Sequence, residues 1–174
     1  MHEFAGNQNG SGPATPMDPC AIARALALIP DTTCLMTSAF EGDRAGVLVH
    51  GILVASHEPP MVVVACRKGH AIDPIIRDAR CFALGLVDPG DRLIHKRFRF
   101  ADTAVSHRVD PDVTDPFDPF PDMHMVTGSP ILDRCAVWLD CQIARHFDLE
   151  SEHELFVGQV IAVRIREIAR PEQA

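Results

Sequence analysis

The apolar residues of this chain fall into short runs that are separated by turn residues, a pattern typical of β-strands. Four runs rich in Val, Leu and Ile occupy residues 34–39, 45–55, 61–66 and 81–87. Glu41-Gly42-Asp43-Arg44 predicts a hairpin turn, and Glu58-Pro59-Pro60 is expected to stiffen the entry to the third run, because proline fixes φ. Two further runs, 135–141 and 155–165, predict a pair of long strands joined by a polar turn over 146–152.

Apolar residues at helical spacing are confined to short segments that begin with an acidic residue and a proline. Asp18-Pro19 precedes such spacing over residues 22–29, which predicts an amphipathic helix that covers a core and stops at Pro30. Asp73-Pro74 and Asp88-Pro89 repeat the pattern and predict two more short helices. The chain is therefore predicted to be mainly β, a small antiparallel barrel with peripheral helices, because closing a sheet removes its exposed edges.

The length of 174 residues fits one folded domain. Residues 1–16 are polar and rich in Asn, Gly, Ser and Pro, which predicts a flexible tail ahead of a single domain over residues 17–170. Residues 107–122 gather alternating Asp and Pro, which predicts a solvated loop. A calcium site there is disfavoured because the loop lacks the Gly and the terminal Glu of an EF-hand.

Charge and hydropathy exclude several functions. The chain carries 16 Lys and Arg against 24 Asp and Glu, a net charge of −8, which argues against a nucleic-acid binder. Its longest uninterrupted apolar stretch, residues 61–66, is far shorter than the roughly 20 residues that cross a bilayer, so no membrane span is expected. No apolar secretory segment precedes the domain, and we expect a cytoplasmic protein.

The cysteines indicate packing rather than catalysis or metal binding. They lie within apolar runs, and no pair has the Cys-x-x-Cys spacing of a zinc or redox site. Buried free thiols are therefore expected, and no metal ligands are assigned. The six residues are Cys20, Cys34, Cys66, Cys81, Cys135 and Cys141.

Two stretches stand out as candidate binding elements. Arg67-Lys68-Gly69-His70 combines two permanent cations with a flexible glycine just ahead of a predicted helix, which is what a phosphate group requires. A solvated basic turn is the alternative. Gly46-Val47-Leu48-Val49-His50-Gly51 is a strand bounded by glycines, where a flat ligand can approach closely, with a barrel bulge as the alternative. Neither a Gly-x-Ser-x-Gly elbow nor a glycine-rich nucleotide loop is present.

A family resemblance is carried by the order of short motifs along the chain. They are Leu35-Met36-Thr37, Gly46, Ser56-His57-Glu58-Pro59-Pro60, Phe82-Ala83-Leu84, Lys96-Arg97-Phe98, Gly128-Ser129-Pro130-Ile131-Leu132, Ala136-Val137-Trp138-Leu139-Asp140-Cys141 and His153-Glu154-Leu155-Phe156-Val157-Gly158-Gln159-Val160. In this order they resemble the flavin reductase-like, FMN-binding family, whose members are split β-barrels. The resemblance covers about residues 22–165.

The resemblance implies hydride transfer from NAD(P)H to a bound flavin. FMN, or FAD in its place, would lie against residues 46–51 with its phosphate toward Arg67, Lys68, Gly69 and His70. It also implies a homodimer with the flavin in a cleft between subunits, and a monooxygenase as partner. His153 is the catalytic candidate, expected to contact the nicotinamide or the flavin edge, while capping of a hairpin is its structural alternative.

The chain departs from the family pattern at the positions linked to chemistry. Leu48-Val49-His50-Gly51 and Gly69-His70-Ala71-Ile72 replace runs that are rich in Ser and Thr, Gly85 replaces an Asn, and Ser151-Glu152-His153 replaces Gly-Asp-His. A flavin-binding module without hydride transfer is therefore a second hypothesis. A metal- or haem-binding barrel that uses some of the nine histidines is a third. The choice between NADH and NADPH stays open.

Overall fold

The structure, a computed structural model, describes residues 19–29, 31–99 and 115–166. The chain divides into two units, Met1–Pro30 and Asp31–Ala174. The first contains helix α1 (Pro19–Leu26), the first of the helices that the sequence predicts. The expected cap Asp18, the expected stop Pro30 and the tail over residues 1–16 lie outside the described residues. Two expectations stay predictions: that α1 covers a core, and that residues 17–170 form a single domain.

The second unit contains six strands and two helices within its described ranges. They are β1 (Cys34–Phe40), β2 (Asp43–His57), β3 (Pro60–Arg67), α2 (Ile72–Ala79), β4 (Cys81–Leu86), α3 (Arg92–Phe98), β5 (Val137–Asp148) and β6 (His153–Ile165). The strands form a closed barrel in the order β1-β2-β3-β6-β5-β4, and every neighbouring pair is antiparallel. The predicted mainly β, antiparallel barrel with a few short helices is confirmed.

Alternation along the strands separates two apolar cores. Side chains that point inward fill the barrel: Cys34, Met36, Ala45, Val47, Val49, Val62, Val64, Cys66, Phe82, Leu84, Cys141, Ile143 and Phe156, joined by Ile72 and Ile76 of α2. Side chains that point outward from β1, β4 and β5 join α3 and residues 117–135 in a second cluster: Leu35, Ala83, Val87, Ile94, Phe98, Phe117, Ile131, Leu132, Cys135 and Trp138.

Several boundaries differ from the sequence prediction; among them, α2 begins at Ile72, before the Asp73-Pro74 pair that was predicted to start it. β5 continues through His146 to Asp148, which shortens the predicted turn over 146–152, because these polar residues still pair with β6. Cys135, where the predicted run began, precedes the strand and packs in the second cluster with Trp138. α3 begins at Arg92, since the carboxylate that caps it belongs to Asp91 and accepts from Leu93 and Ile94, whereas the prediction started the helix at Asp88-Pro89.

The thiols are free, as expected, and five of the six are buried; Cys20 is exposed. Burial raises the pKa of Cys34 to about 11 and the pKa of Cys66 to about 12, so these groups stay protonated at neutral pH. Among the described helices, none combines the length and apolar character needed to cross a bilayer.

Candidate functional site

The two stretches singled out in the sequence meet at one end of the β2–β3 ribbon. His50 of β2 lies opposite Ala65 of β3, two residues before Arg67. Arg67 in turn lies opposite His153 of β6, and Ala65 lies opposite Leu155. Because paired residues of antiparallel strands project from the same face, all five side chains share the outer face of the barrel. We call this surface, His50, Ala65, Arg67, His153 and Leu155, the corner site.

An apolar row runs through the corner site. Leu155 lies opposite Phe147 of β5, so His50, Ala65, Leu155 and Phe147 form one row across four strands. Half of Phe147 is exposed, and Ala65 and Leu155 are partly exposed. The row offers an apolar floor on which a planar ring can stack, with cationic and imidazole groups at its margin.

Both predicted cations of the corner are paired with carboxylates of the β5–β6 hairpin. Arg67 Nη2 lies 3.5 Å from Glu152 Oε2, and Lys68 Nζ bonds Asp148 Oδ1. The Lys68 hydrogen bond lowers the pKa of Asp148. The carboxylates of Glu152 and Asp148 are largely exposed, and exposed ion pairs contribute little stability, so a bound anion can replace them at low cost.

In the loop between β3 and α2, a backbone amide already binds a carboxylate of the protein. Gly69, whose φ is +81°, donates its N–H to Asp73 Oδ2 at 2.6 Å. The Nδ1 atom of His70 accepts from the Ile72 N–H, and burial lowers the pKa of His70, so its imidazole is neutral at pH 7. The Gly69 amide is thus occupied by Asp73 and His70 offers no positive charge, and the assignment of these two residues to a phosphate stays a prediction.

The glycine-bounded strand is used differently at its two ends. A Cβ on Gly46 would lie 2.9 Å from the Phe98 ring, so the close approach there is made by a protein side chain. Val47 and Val49 point into the barrel and are buried, and Leu48 packs against the second cluster. Any ligand contact in this stretch therefore falls to its backbone and to His50.

The far end of that stretch, at Gly51, forms a bulge beside the corner site. Gly51 has a φ of +71° and interrupts the register between His50 and Ile52. Its N–H donates to Asp31 Oδ1 at 3.1 Å. His50 Nδ1 lies 2.9 Å from Asp31 Oδ2 and 3.3 Å from Thr33 Oγ1, which fixes the ring at the margin of the floor.

His153 starts β6 and is exposed. Its backbone N–H donates to Ser151 Oγ at 3.2 Å, which is the hairpin-capping contact that the sequence left as an alternative. Within the described ranges no hydrogen bond of its imidazole is found, so the cap uses the backbone and leaves the ring available. Both roles are geometrically compatible.

A buried carboxylate that was not predicted from the sequence lies beneath the corner site. Glu154 is fully buried; its Oε2 accepts from Arg77 Nη2 at 2.8 Å and lies 2.6 Å from His146 Nε2, while its Oε1 has no partner in the described structure. The burial of Glu154 could have been predicted from the strand alternation, because this residue occupies the same inward face of β6 as Phe156 and Gly158. No group of three or more His, Cys, Asp or Glu in the described ranges is arranged to hold a metal ion.

The fold and the corner site define a class of protein: a closed antiparallel barrel whose outer face carries the apolar floor with cationic side chains at its margin. The flavin reductase like domain model matches residues 26–173, so the chain belongs to the family of flavin reductase like domains.

Solved structures share the fold at low sequence identity. Nitrilotriacetate monooxygenase component B from Mycobacterium thermoresistibile has a TM-score of 0.69 and 18% identity, covering 88% of this chain and 82% of that one. The NADH:FAD oxidoreductase of Streptomyces globisporus has a TM-score of 0.70 and 20% identity over 90% and 89% of the two chains. The styrene monooxygenase flavin reductase from Pseudomonas putida has 0.68 and 20% over 86% and 88%. No curated protein sequence matches.

Proposed function

We propose that this chain is a flavin reductase that binds FMN or FAD on the corner site and reduces it with NADH or NADPH. The observation that carries the proposal is the apolar floor of Ala65 and Leu155, flanked by His50, Arg67 and His153 on the same outer face. Membership of the flavin reductase like family supports it. A bound flavin supplies the redox chemistry, because its ring accepts the hydride of a nicotinamide.

The chain's own residues bind and orient in this proposal. The floor excludes water from one face of a planar ring, and Arg67 and Lys68 hold a phosphate by exchanging their exposed carboxylate partners for it. His153 lies opposite Arg67 and positions the second ring. No ionisable base is needed, since hydride transfer is accelerated mainly by holding two rings in reacting geometry.

A homodimer and a monooxygenase partner complete the proposal. Leu53 lies opposite Val63 on the outer face that carries the floor and is 62% exposed, and exposed apolar side chains of this kind are typical of subunit contacts. The second copy would close the cleft over the corner site. Two similar structures are named as components of monooxygenase systems, which supports a role in supplying reduced flavin to a separate oxygenase.

A second candidate function is flavin binding without reduction. It is favoured by Asp73, whose carboxylate occupies the Gly69 amide in the loop predicted to hold the phosphate. Titration of the purified protein with FMN and FAD tests what the two candidates share. Quenching of flavin fluorescence at one site per chain supports both, and unquenched fluorescence contradicts both.

The double variant Arg67→Gln/Lys68→Gln should raise the Kd for FMN by about tenfold to a hundredfold, because two charge-assisted contacts to phosphate are lost. Fluorescence titration measures the effect. Arg164→Gln/Arg166→Gln is the matched control, since it removes the same charge at the other end of β6. Equal affinities for FMN in the two double variants would show that the flavin phosphate does not bind at the corner site.

His153→Ala should lower the rate of flavin reduction by NADH by about tenfold while changing the FMN Kd by less than about twofold, because the ring positions the nicotinamide rather than the flavin. Anaerobic stopped-flow absorbance measures the rate. His124→Ala, which removes a half-exposed imidazole bound to Asp122 outside the corner, is the control. An unaltered rate in His153→Ala would return this residue to hairpin capping alone.

A further inference from the structure

A second cationic surface lies on α3, outside the corner site. Arg92, His95, Lys96 and Arg99 line a cavity of about 470 Å³. Helical spacing places Arg92, His95 and Lys96 on one side of α3, and Arg99 follows directly after the last residue of the helix. Ile94 and Phe98 on the opposite side are buried in the second cluster and hold the helix against the barrel. We call the four-residue lining the α3 cavity.

The cations of the α3 cavity are not neutralised within the part of the chain that the structure describes. The nearby carboxylate of Asp91 is already used, since it caps α3 and bonds Arg134 Nε at 2.6 Å. Asp88 accepts from the Gly90 N–H at 2.7 Å, and no described ion pair joins it to a cation of the cavity. Arg92, Lys96 and Arg99 form no ion pair with any described residue. Three permanent positive charges thus face one cavity on a protein whose net charge is −8.

The imidazole of His95 gives an independent indication of a ligand. Its Nε2 atom is buried and has no hydrogen-bond partner in the described structure. Buried polar atoms are nearly always satisfied, so this nitrogen, which belongs to a residue of the cavity lining, needs a partner that the described residues do not supply. The helix macrodipole explains basic residues in the last turn of α3, but it explains neither the cavity nor this nitrogen.

The chemistry of the α3 cavity selects the ligand. Three permanent cations, two of them guanidinium groups that bind oxygen pairs, can contact the oxygens of both phosphates of a diphosphate. A cavity of about 470 Å³ lies in the range of small-molecule sites and leaves room for a nucleoside beside the diphosphate.

The position of α3 relates the cavity to the corner site. Phe98 holds the buried side of α3 over Gly46, and Gly46 lies four residues before His50 on the same outer face of β2. The helix therefore contacts the strand of the corner site at a point about 13 Å from His50. A dinucleotide, which carries its diphosphate between two nucleosides, is longer than a mononucleotide and can span contacts of this separation.

We propose that the α3 cavity binds the diphosphate of a dinucleotide, FAD or NAD(P)H, whose ring lies on the corner site. The choice of these dinucleotides rests on the proposed function; the diphosphate itself does not. FMN binding should therefore be independent of α3.

Calorimetric titration with ADP at low ionic strength tests the cavity alone. Arg92→Gln/Lys96→Gln should raise the ADP Kd by about tenfold or more, since Gln keeps the helix propensity and removes both charges. Arg97→Gln, on the same helix but outside the cavity lining, should change it by less than about twofold. In the wild type, ADP should also shift the imidazole resonances of His95, and this shift should be absent in the double variant.

The outcomes separate this proposal from the proposed function. The cavity assignment is overturned if ADP does not bind the wild type, or if Arg97→Gln weakens ADP as much as the double variant does. If ADP binding depends on Arg92 and Lys96 but the protein takes up no flavin, the cavity stands and the flavin assignment falls. If FMN binds and FAD affinity is unchanged in the double variant, the dinucleotide link falls.

Discussion

Replacing Arg77 with Ala should lower the free energy of unfolding by about 2–4 kcal/mol, a large effect for a side chain that is 55% exposed. The reason for this large effect is the ion-pair partner of Arg77. Glu154 is fully buried, and without Arg77 its carboxylate keeps only the contact with His146. Removing one member of such a pair leaves a buried charge uncompensated. Chemical denaturation followed by circular dichroism measures the loss.

A double-mutant cycle attributes the effect to Glu154. The variant Arg77→Ala/Glu154→Gln should recover much of the lost stability, because the neutral amide needs no counter-ion. Arg145→Ala, which removes an exposed arginine whose described hydrogen bond is to its neighbouring backbone carbonyl, should cost less than about 1 kcal/mol. Additive losses in the double variant would show that the charge on Glu154 is not what Arg77 stabilises.

Gly85→Ala should cost about 2 kcal/mol, although β-strands usually favour Ala over Gly. A Cβ at this position would lie 2.6 Å from the Trp138 ring. That ring cannot move easily, because it is buried and its Nε1–H donates to the Leu132 carbonyl at 2.8 Å. Thermal or chemical denaturation measures the loss.

Repeating the measurement in a Trp138→Phe variant identifies the side chain that the added Cβ would meet. In Trp138→Phe the smaller ring lacks the atoms that a Cβ would meet, so Gly85→Ala should cost less there than in the wild type. Gly90→Ala is the matched control, since the nearest atom to its added Cβ is Asp88 Oδ1 at 3.2 Å and the change should be small. An equal cost of Gly85→Ala in both backgrounds would contradict the packing account.

The barrel was predictable because strand alternation is a local property of the sequence. Residues 34–39, 61–66 and 81–87 carry the inward and outward sets that the structure separates into two cores. The boundaries that failed depended on pairing. His146 and Asp148 look like turn residues, yet they extend β5 because Phe156 and Glu154 lie opposite them.

The meaning of a glycine was harder to predict, because the sequence shows a missing side chain but not what fills the space. Gly46 was expected to receive a flat ligand, and the ring that fills its space is Phe98. Gly85, which departs from the family pattern, is accounted for by the Trp138 ring. Both partners are distant in sequence, so only the assembled fold identifies them.

The electrostatic state of the basic stretch could not be predicted from the sequence. The sequence shows Arg67 and Lys68 as free cations, whereas the hairpin brings Glu152 and Asp148 to them. Burial lowers the pKa of His70, and no local pattern indicated this. Glu154 is the counterexample: its place on an inward-facing position of β6 made a buried carboxylate predictable in principle.

Anaerobic mixing of the flavin-loaded protein with NADH, and separately with NADPH, tests the central claim most directly. The oxidised-flavin absorbance should bleach with at least one of the two nucleotides, much faster than for free flavin at the same concentration, and more slowly in His153→Ala. A bound flavin that stays oxidised with both nucleotides would contradict a reductase and leave a flavin-binding barrel.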